Sequence, residues 1–149
     1  MRTIPSKILI VDDYHSNRVS LERLLEPIEN IQVFHADSGN SALKQLIHHQ
    51  FTLILLDVNM PEMDGYEVAS LISATDKHKH TPIVMLTAHT DTKSILKAYE
   101  AGAVDYLIKP IEPTILLNKV KQFVTLNQLQ KRTEHLKFEN ESIIESIGQ

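Results

Sequence analysis

Cysteine and tryptophan are both absent from this chain, and glycine occurs only four times. Without cysteine, neither a disulfide framework nor a thiol nucleophile can form, and nothing favours an oxidising compartment. Long hydrophobic runs are missing too, because no apolar stretch approaches the roughly 20 residues of a membrane-spanning helix. The amino terminus, MRTIPSK, lacks the pattern of a secretory signal. We therefore expect a cytoplasmic chain that does not enter a membrane.

A surplus of positive charge is missing as well. The chain has 15 lysines and arginines against 19 aspartates and glutamates, which gives a formal net charge of -4. Domains that bind nucleic acid or anionic membranes usually carry the opposite balance, so we expect neither partner for these residues. The length of 149 residues and the hydrophobic share of 42% suit one ordinary domain with a short appendage.

Four short apolar runs each end on a polar residue that could take part in phosphoryl transfer. The runs and the residues that follow them are Ile8–Val11 before Asp12 and Asp13, Leu53–Leu56 before Asp57, Ile83–Leu86 before Thr87, and Tyr106–Ile108 before Lys109 and Pro110. Runs of this kind, separated by helix-length segments, are typical of buried parallel strands. Ligands of open α/β sheets bind beyond the carboxyl ends of such strands, so these polar residues are predicted to meet at one edge.

The segments between the runs have the helical patterns that an alternating fold requires. A first helix is predicted over 16–26, Ser38 can cap a second, Gly65 opens a third, and Asp91 or Thr92 caps a fourth. Residues predicted to be buried on the later helices are Val68, Ala69, Leu71, Ile72, Leu117, Val120 and Val124. Right-handed crossovers then give a doubly wound, five-stranded parallel sheet in the order 2-1-3-4-5, with helices on both faces.

In that strand order, strands one and three are neighbours, and three carboxylates face one another. Asp12, Asp13 and Asp57 would repel unless a cation or protons relieve them. Mg²⁺ suits this task because it prefers oxygen ligands and is commonly held by one or two carboxylates together with phosphate oxygens.

The motifs ILIVDD, LLDVNMPEMDGYE, MLTA and YLIKP, in this order, closely resemble the receiver domain of two-component response regulators. The resemblance covers roughly residues 7 to 124 and implies a flavodoxin-like fold. It implies that Asp57 is the phosphoacceptor and that a histidine kinase or phosphotransfer protein is the donor. The implied cofactor is Mg²⁺, for which Mn²⁺ could substitute.

The resemblance also implies a role for individual residues around the metal and the phosphoryl group. Asp13 and Asp57 would bind the metal directly, the backbone carbonyl of Asn59 would be a third ligand, and Asp12 would assist through water. Lys109 and Thr87 would contact oxygens of the phosphoryl group.

Further residues are implied in the switch that follows phosphorylation. Thr87 and Tyr106 would move together, and strand five with the fourth and fifth helices would form the output surface. Asn59 and His89 would tune the lifetime of the phosphorylated state, and the bond between Lys109 and Pro110 is a candidate for a cis peptide.

Each feature has a simpler interpretation when taken alone. Asp12 and Asp13 could be turn acids that cap a helix, and Lys109 could be a solvated lysine before a turn proline. A phosphohydrolase with an aspartyl nucleophile is one alternative, although it would be expected to carry a second Asp where this chain has Asn59. The other alternative is a phosphorylation-incompetent, receiver-like interaction or dimerisation module. The histidines of His48-His49 and His78-Lys79-His80 are interpreted as solvated surface residues rather than as metal ligands.

The carboxyl-terminal segment departs from a minimal receiver. From Thr114 a helical pattern continues without Gly or Pro until Gly148, so we divide the chain into a receiver domain, 1–124, and a coiled-coil-like helical segment, 125–149. Heptad positions a and d would be occupied by Leu126, Leu129, Thr133, Leu136, Asn140, Ile143 and Ile147. Asn140 at an a position favours a parallel homodimer, whereas Thr133 and an Arg132–Lys137 contact between helices oppose it. A solvated or folded-back helix is the alternative, and an output module beyond residue 149 is expected.

Overall fold

Five strands alternate with five helices in the computed structural model, which describes the backbone of residues 4–147 and the side chains of residues 4–134. In chain order they are β1 Ser6–Val11, α1 His15–Leu25, β2 Ile31–Ala36, α2 Gly39–His48, β3 Leu53–Asp57, α3 Gly65–Ser73, β4 Ile83–Thr87, α4 Thr92–Glu100, β5 Asp105–Ile108 and α5 Pro113–Ile147. The strands form one parallel sheet in the order β2-β1-β3-β4-β5. The predicted fold class and strand order are confirmed.

The core lies in two layers, one on each face of the sheet. Successive residues of β1 alternate between them, because neighbouring side chains of a strand point to opposite faces. Leu9 and Val11 pack with residues of α2, α3 and α4. Ile8 and Ile10 pack with residues of α1 and α5. Both faces of the central strands are therefore covered, which explains why their sequences are continuously apolar.

Helix starts follow their capping residues. The side chains of Ser38, Asp64 and Asp91 accept a backbone N–H three residues ahead, at the beginnings of α2, α3 and α4 respectively. Each bond satisfies one of the N–H groups that a helix leaves unpaired in its first turn. The prediction that Ser38 is a cap is confirmed, and of the two candidates for α4 the cap is Asp91.

The predicted faces of α3 and α5 each differ from the structure at one residue. Leu71 was predicted to be buried, but it is 46% exposed, because the buried positions of α3 are Gly65, Val68, Ala69 and Ile72 and Leu71 lies to the side of them. On α5, Leu117 packs against the core as predicted and is partly buried, while Leu116 beside it is fully buried. Both errors concern one residue at the edge of an otherwise correct face, because apolar residues flank each stripe and the pattern alone does not choose between them.

The interpretation of the histidines as solvated is wrong for His78, and it holds only in part for His49, which is half-buried with its ring beside those of Phe34 and Phe51. His78 is buried rather than solvated, and its ring Nε2 lies 2.7 Å from the carbonyl oxygen of Leu46. Lys77 donates to the next carbonyl, that of Ile47. These side chains hydrogen-bond to carbonyl oxygens at the carboxyl end of α2, because the carbonyls in the last turn of a helix have no partner within the helix.

Candidate functional site

Polar residues from four strands meet at the carboxyl edge of the sheet, as predicted. Asp12 and Asp13 follow β1, and Asp57 is the last residue of β3, which pairs with β1. Carboxylate oxygens of these three residues lie within 4.8 Å of one another. Asp12 and Asp57 are buried and Asp13 is half-buried, so water screens their mutual repulsion poorly.

Lys109 contributes the positive charge at this edge. Its ammonium donates to Oδ1 of Asp57 at 2.6 Å, and its backbone N–H donates to the carbonyl oxygen of Thr87 at the end of β4. The peptide bond from Lys109 to Pro110 is cis. The ammonium thus lies directly against the carboxylate that the resemblance implies is the phosphoacceptor.

Asp57 experiences opposing influences on its ionisation. Burial is the largest and raises the pKa of the Asp57 carboxyl, and the nearby Asp12 and Asp13 raise it further. The hydrogen bond and the charge of Lys109 act in the other direction but do not cancel the rise. The ionised carboxylate is therefore held in an unfavourable setting, which a further cation would relieve.

The donor set fits a hard divalent cation. Oδ1 of Asp13 is buried and has no hydrogen-bond partner among the described residues, which is uncommon for a carboxylate oxygen. Together with the adjacent carboxylates of Asp12 and Asp57, this atom offers the oxygen ligands that Mg²⁺ prefers.

The β3–α3 loop rises from Asp57 and is fixed by close packing. The backbone N–H of Gly65 donates to the carbonyl oxygen of Val58, and a Cβ at Gly65 would lie 2.4 Å from the carbonyl oxygen of Asp57. Only glycine therefore allows α3 to begin this close to Asp57. Asn59 lies exposed in the same loop.

Thr87 and Tyr106 lie on the neighbouring strands β4 and β5. The Thr87 hydroxyl is buried and accepts the backbone N–H of His89 at 3.0 Å, so its own proton remains available for donation. His89 is itself exposed beside the site. Tyr106 is half-buried and its ring meets that of Tyr99 on α4 edge to face, with centroids 6.0 Å apart.

Two residues near the acids escaped sequence reasoning. Asn17 Nδ2 donates to both oxygens of Asp12 at 3.4 and 3.2 Å, and Arg18 donates to the Asp12 backbone carbonyl at 2.6 Å. The only available signal was their position in the first turn of α1, directly after the paired aspartates.

Comparison with known proteins agrees with this geometry. The family model for the response regulator receiver domain matches residues 8–121. The chain belongs to the response regulator receiver domain family. The match takes in all five strands after the first two residues of β1, and it contains every candidate site residue.

Among curated relatives of this receiver domain is the transcriptional regulatory protein SrrA of Staphylococcus aureus. It is 37% identical over 123 residues, which are 83% of this chain and 49% of SrrA. The chain thus spans about half the length of the curated relatives it matches.

Solved receiver structures superpose closely on this one. Chemotaxis protein CheY4 of Vibrio cholerae has a TM-score of 0.74 at 33% identity, covering 80% of this chain and 98% of its own. A two-component response regulator from Clostridium difficile has a TM-score of 0.73 at 32% identity, covering 80% of this chain and 96% of its own.

Within the described residues, no helix has the length and apolar character needed to cross a membrane.

Proposed function

We propose that this receiver domain is a phosphorylation-controlled switch in which Asp57 accepts a phosphoryl group from a histidine kinase or phosphotransfer protein. The observation that carries the proposal is the placement of the buried Asp57 carboxylate against the Lys109 ammonium and beside Asp12 and Asp13. This arrangement pairs a carboxylate nucleophile with the charges that phosphoryl transfer requires.

The residues would divide the work as follows. A carboxylate oxygen of Asp57 attacks phosphorus, the bond from phosphorus to the donor breaks, and its electron pair leaves with the donor nitrogen. Lys109 and the Thr87 hydroxyl donate hydrogen bonds to phosphoryl oxygens.

Four residues would hold Mg²⁺, or Mn²⁺ in its place. These are Asp13 and Asp57 through their carboxylates, Asn59 through its backbone carbonyl, and Asp12 through water. When bound, the cation would neutralise negative charge on the transferring oxygens.

Phosphorylation would be reported through Thr87 and Tyr106. To donate its free proton to a phosphoryl oxygen, the Thr87 hydroxyl would move toward the site, and Tyr106 would follow into the vacated space. Such a change is a population shift, driven by contacts that the phosphoryl group makes in only one of two packings.

The test is incubation with acetyl phosphate, with and without Mg²⁺, followed by intact mass measurement. Wild type is expected to gain one phosphoryl group only with Mg²⁺, and Asp57→Asn is expected to gain none. Asp37→Asn is the matched control, because Asp37 is an exposed carboxylate just after strand β2, at the same edge of the sheet. No gain in wild type would instead favour a receiver-like interaction module without phosphorylation.

Asn59 and His89 are proposed to set the lifetime of the phosphorylated state. Both are exposed at the rim of the site, where they can position or exclude the water that hydrolyses the acyl phosphate. His89→Ala is expected to change the half-life of phosphorylated Asp57, measured by the decay of the phosphorylated mass. An unchanged half-life would remove His89 from this role.

The carboxyl-terminal helix is proposed to connect the receiver, 1–124, to a partner copy and to an output module beyond residue 149. Helix α5 runs unbroken to Ile147, and two seam residues, Leu126 and Leu129, are each more than half exposed. The remaining a and d residues from Leu136 onward lie outside the described side chains.

Dimerisation through this helix can be tested by sedimentation. The double variant Leu126→Lys, Leu129→Lys is expected to be monomeric at a concentration where wild type is dimeric. Gln128→Lys, Gln130→Lys is the control with the same added charge on the same turn. Equal masses for wild type and the leucine variant would contradict a dimer through α5.

A further inference from the structure

Helix α1 begins in an unusual way beside the three carboxylates. Its N-cap residue, Tyr14, makes no side-chain capping hydrogen bond, and its first turn contains no acidic residue. Instead, the Tyr14 backbone N–H donates to Oδ1 of Asp12 at 2.9 Å, so a residue two positions before the cap satisfies one N–H group at the helix end.

Asn17 occupies the third position of the helix, whose side chain in a capping box returns to the N-cap backbone. Here its amide reaches past Tyr14 to the Asp12 carboxylate and lies within hydrogen-bonding distance of both oxygens. Arg18 fixes the same residue from the other side through the Asp12 carbonyl. Asp12 is thus held at its carboxylate and at its backbone by one turn of α1.

The three carboxylates differ in their partners. The oxygens of Asp12 receive protein N–H donors from Tyr14 and Asn17, Asp57 receives the Lys109 ammonium, and Oδ1 of Asp13 receives none among the described residues. A carboxylate held by two donors has a fixed direction and fewer free lone pairs.

We infer that Asn17 is a positioning residue that orients the Asp12 carboxylate for the divalent cation. This inference rests on the proposed function, because it assigns a task to Asn17 only if a cation binds among these acids. Groups that orient metal-binding carboxylates affect metal affinity strongly even though they do not touch the metal. Asn17 itself is exposed and belongs to neither layer of the core, so its hydrogen bonds to Asp12 are its main contacts within the fold.

A Mg²⁺ titration followed by the amide resonances of Asp57 and Val58 tests the inference. Asn17→Ala is expected to weaken Mg²⁺ binding about tenfold. Ser20→Ala is the matched control, since Ser20 is exposed one turn further along α1, lines the same cavity as Asp12 and Asn17, and has no hydrogen bond to the acids. Asn17→Gln, which keeps an amide donor on a longer side chain, is expected to recover part of the affinity.

Melting temperatures in chelator separate positioning from a purely structural role. A residue that only supports the start of α1 would lower the melting temperature in chelator and leave the Mg²⁺ dissociation constant unchanged. If Asn17→Ala gives that result while wild type binds Mg²⁺, the positioning role of Asn17 is overturned and the proposed function stands. Absence of Mg²⁺ binding by wild type would overturn the proposed function as well.

Discussion

Helices α3 and α4 are of equal length, nine residues each, and both begin with an aspartate cap, but the sheet holds them very differently. Helix α3 buries Gly65, Val68, Ala69 and Ile72, whereas α4 buries only Ala98. Segments with few buried apolar contacts open at low free energy, so of these two helices α4 moves at the lower cost in free energy.

The difference in burial between α3 and α4 agrees with the site residues that lie near the start of each helix. Helix α3 begins against the backbone of Asp57, where a movement would displace the Asp57 carboxylate. Helix α4 is capped by Asp91, four residues after Thr87, and its Tyr99 contacts Tyr106. A fixed α3 keeps the site in place, while a weakly held α4 can respond to it.

The largest expected effect compares one apolar side chain from each helix. Ile72→Ala removes a fully buried side chain of α3 and is expected to lower the free energy of unfolding by about 2–5 kcal/mol. Leu96→Ala on α4 removes one that is 53% exposed and should change it by no more than about 0.5 kcal/mol. Urea denaturation measures both, and equal losses would remove the contrast between the helices.

A smaller effect is expected at the beginning of α3. Gly65→Ala places a Cβ against the carbonyl oxygen of Asp57 and is expected to cost about 1–3 kcal/mol, because backbone rather than a flexible side chain must yield. Phosphorylation by acetyl phosphate should slow as well, since Asp57 is displaced. Ser70→Ala, on the exposed face of the same helix, is the control. Wild-type stability in Gly65→Ala would show that α3 is less firmly fixed than its packing indicates.

The smallest effect concerns a contact that joins the two helices. The ammonium of Lys97 on α4 lies 4.4 Å from the ring centroid of Tyr66 on α3. Loss of this contact in Lys97→Gln is expected to cost about 0.5–1 kcal/mol and to accelerate hydrogen exchange in α4 but not in α3. Lys93→Gln, with the same change of charge one turn earlier, should leave exchange unaltered. Equal acceleration in both variants would assign the effect to charge rather than to Tyr66.

The sheet and the acidic edge could be predicted because each depends on short patterns. A buried parallel strand is continuously apolar, and the residue that follows it lies at the edge where ligands bind. Asp12, Asp13, Asp57, Thr87 and Lys109 are all found at that edge. The roles assigned to them in catalysis and switching stay predictions until the chemistry is measured.

What the sequence did not predict depends on contacts between distant segments. His78 looked like part of a polar loop, and its burial arises because the loop meets the end of α2, some 30 residues earlier in the chain. The task of Asn17 was equally hidden, since an asparagine in a first helical turn is common and only the fold shows Asp12 within its reach. Leu71 shows that helical periodicity identifies a face to within about one residue.

Helix α5 continues for 35 residues without a break. At Asn127 the helix is still joined to the body of the domain, because the Asn127 side chain accepts a hydrogen bond from Ser6 at the start of β1. From there to Ile147 the helix extends about 30 Å at 1.5 Å per residue. An α-helix of this length acts as a lever arm. A tilt of a few degrees where it leaves the sheet displaces its far end by ångströms. A small rearrangement within the domain is thereby converted into a larger movement at the end of the helix.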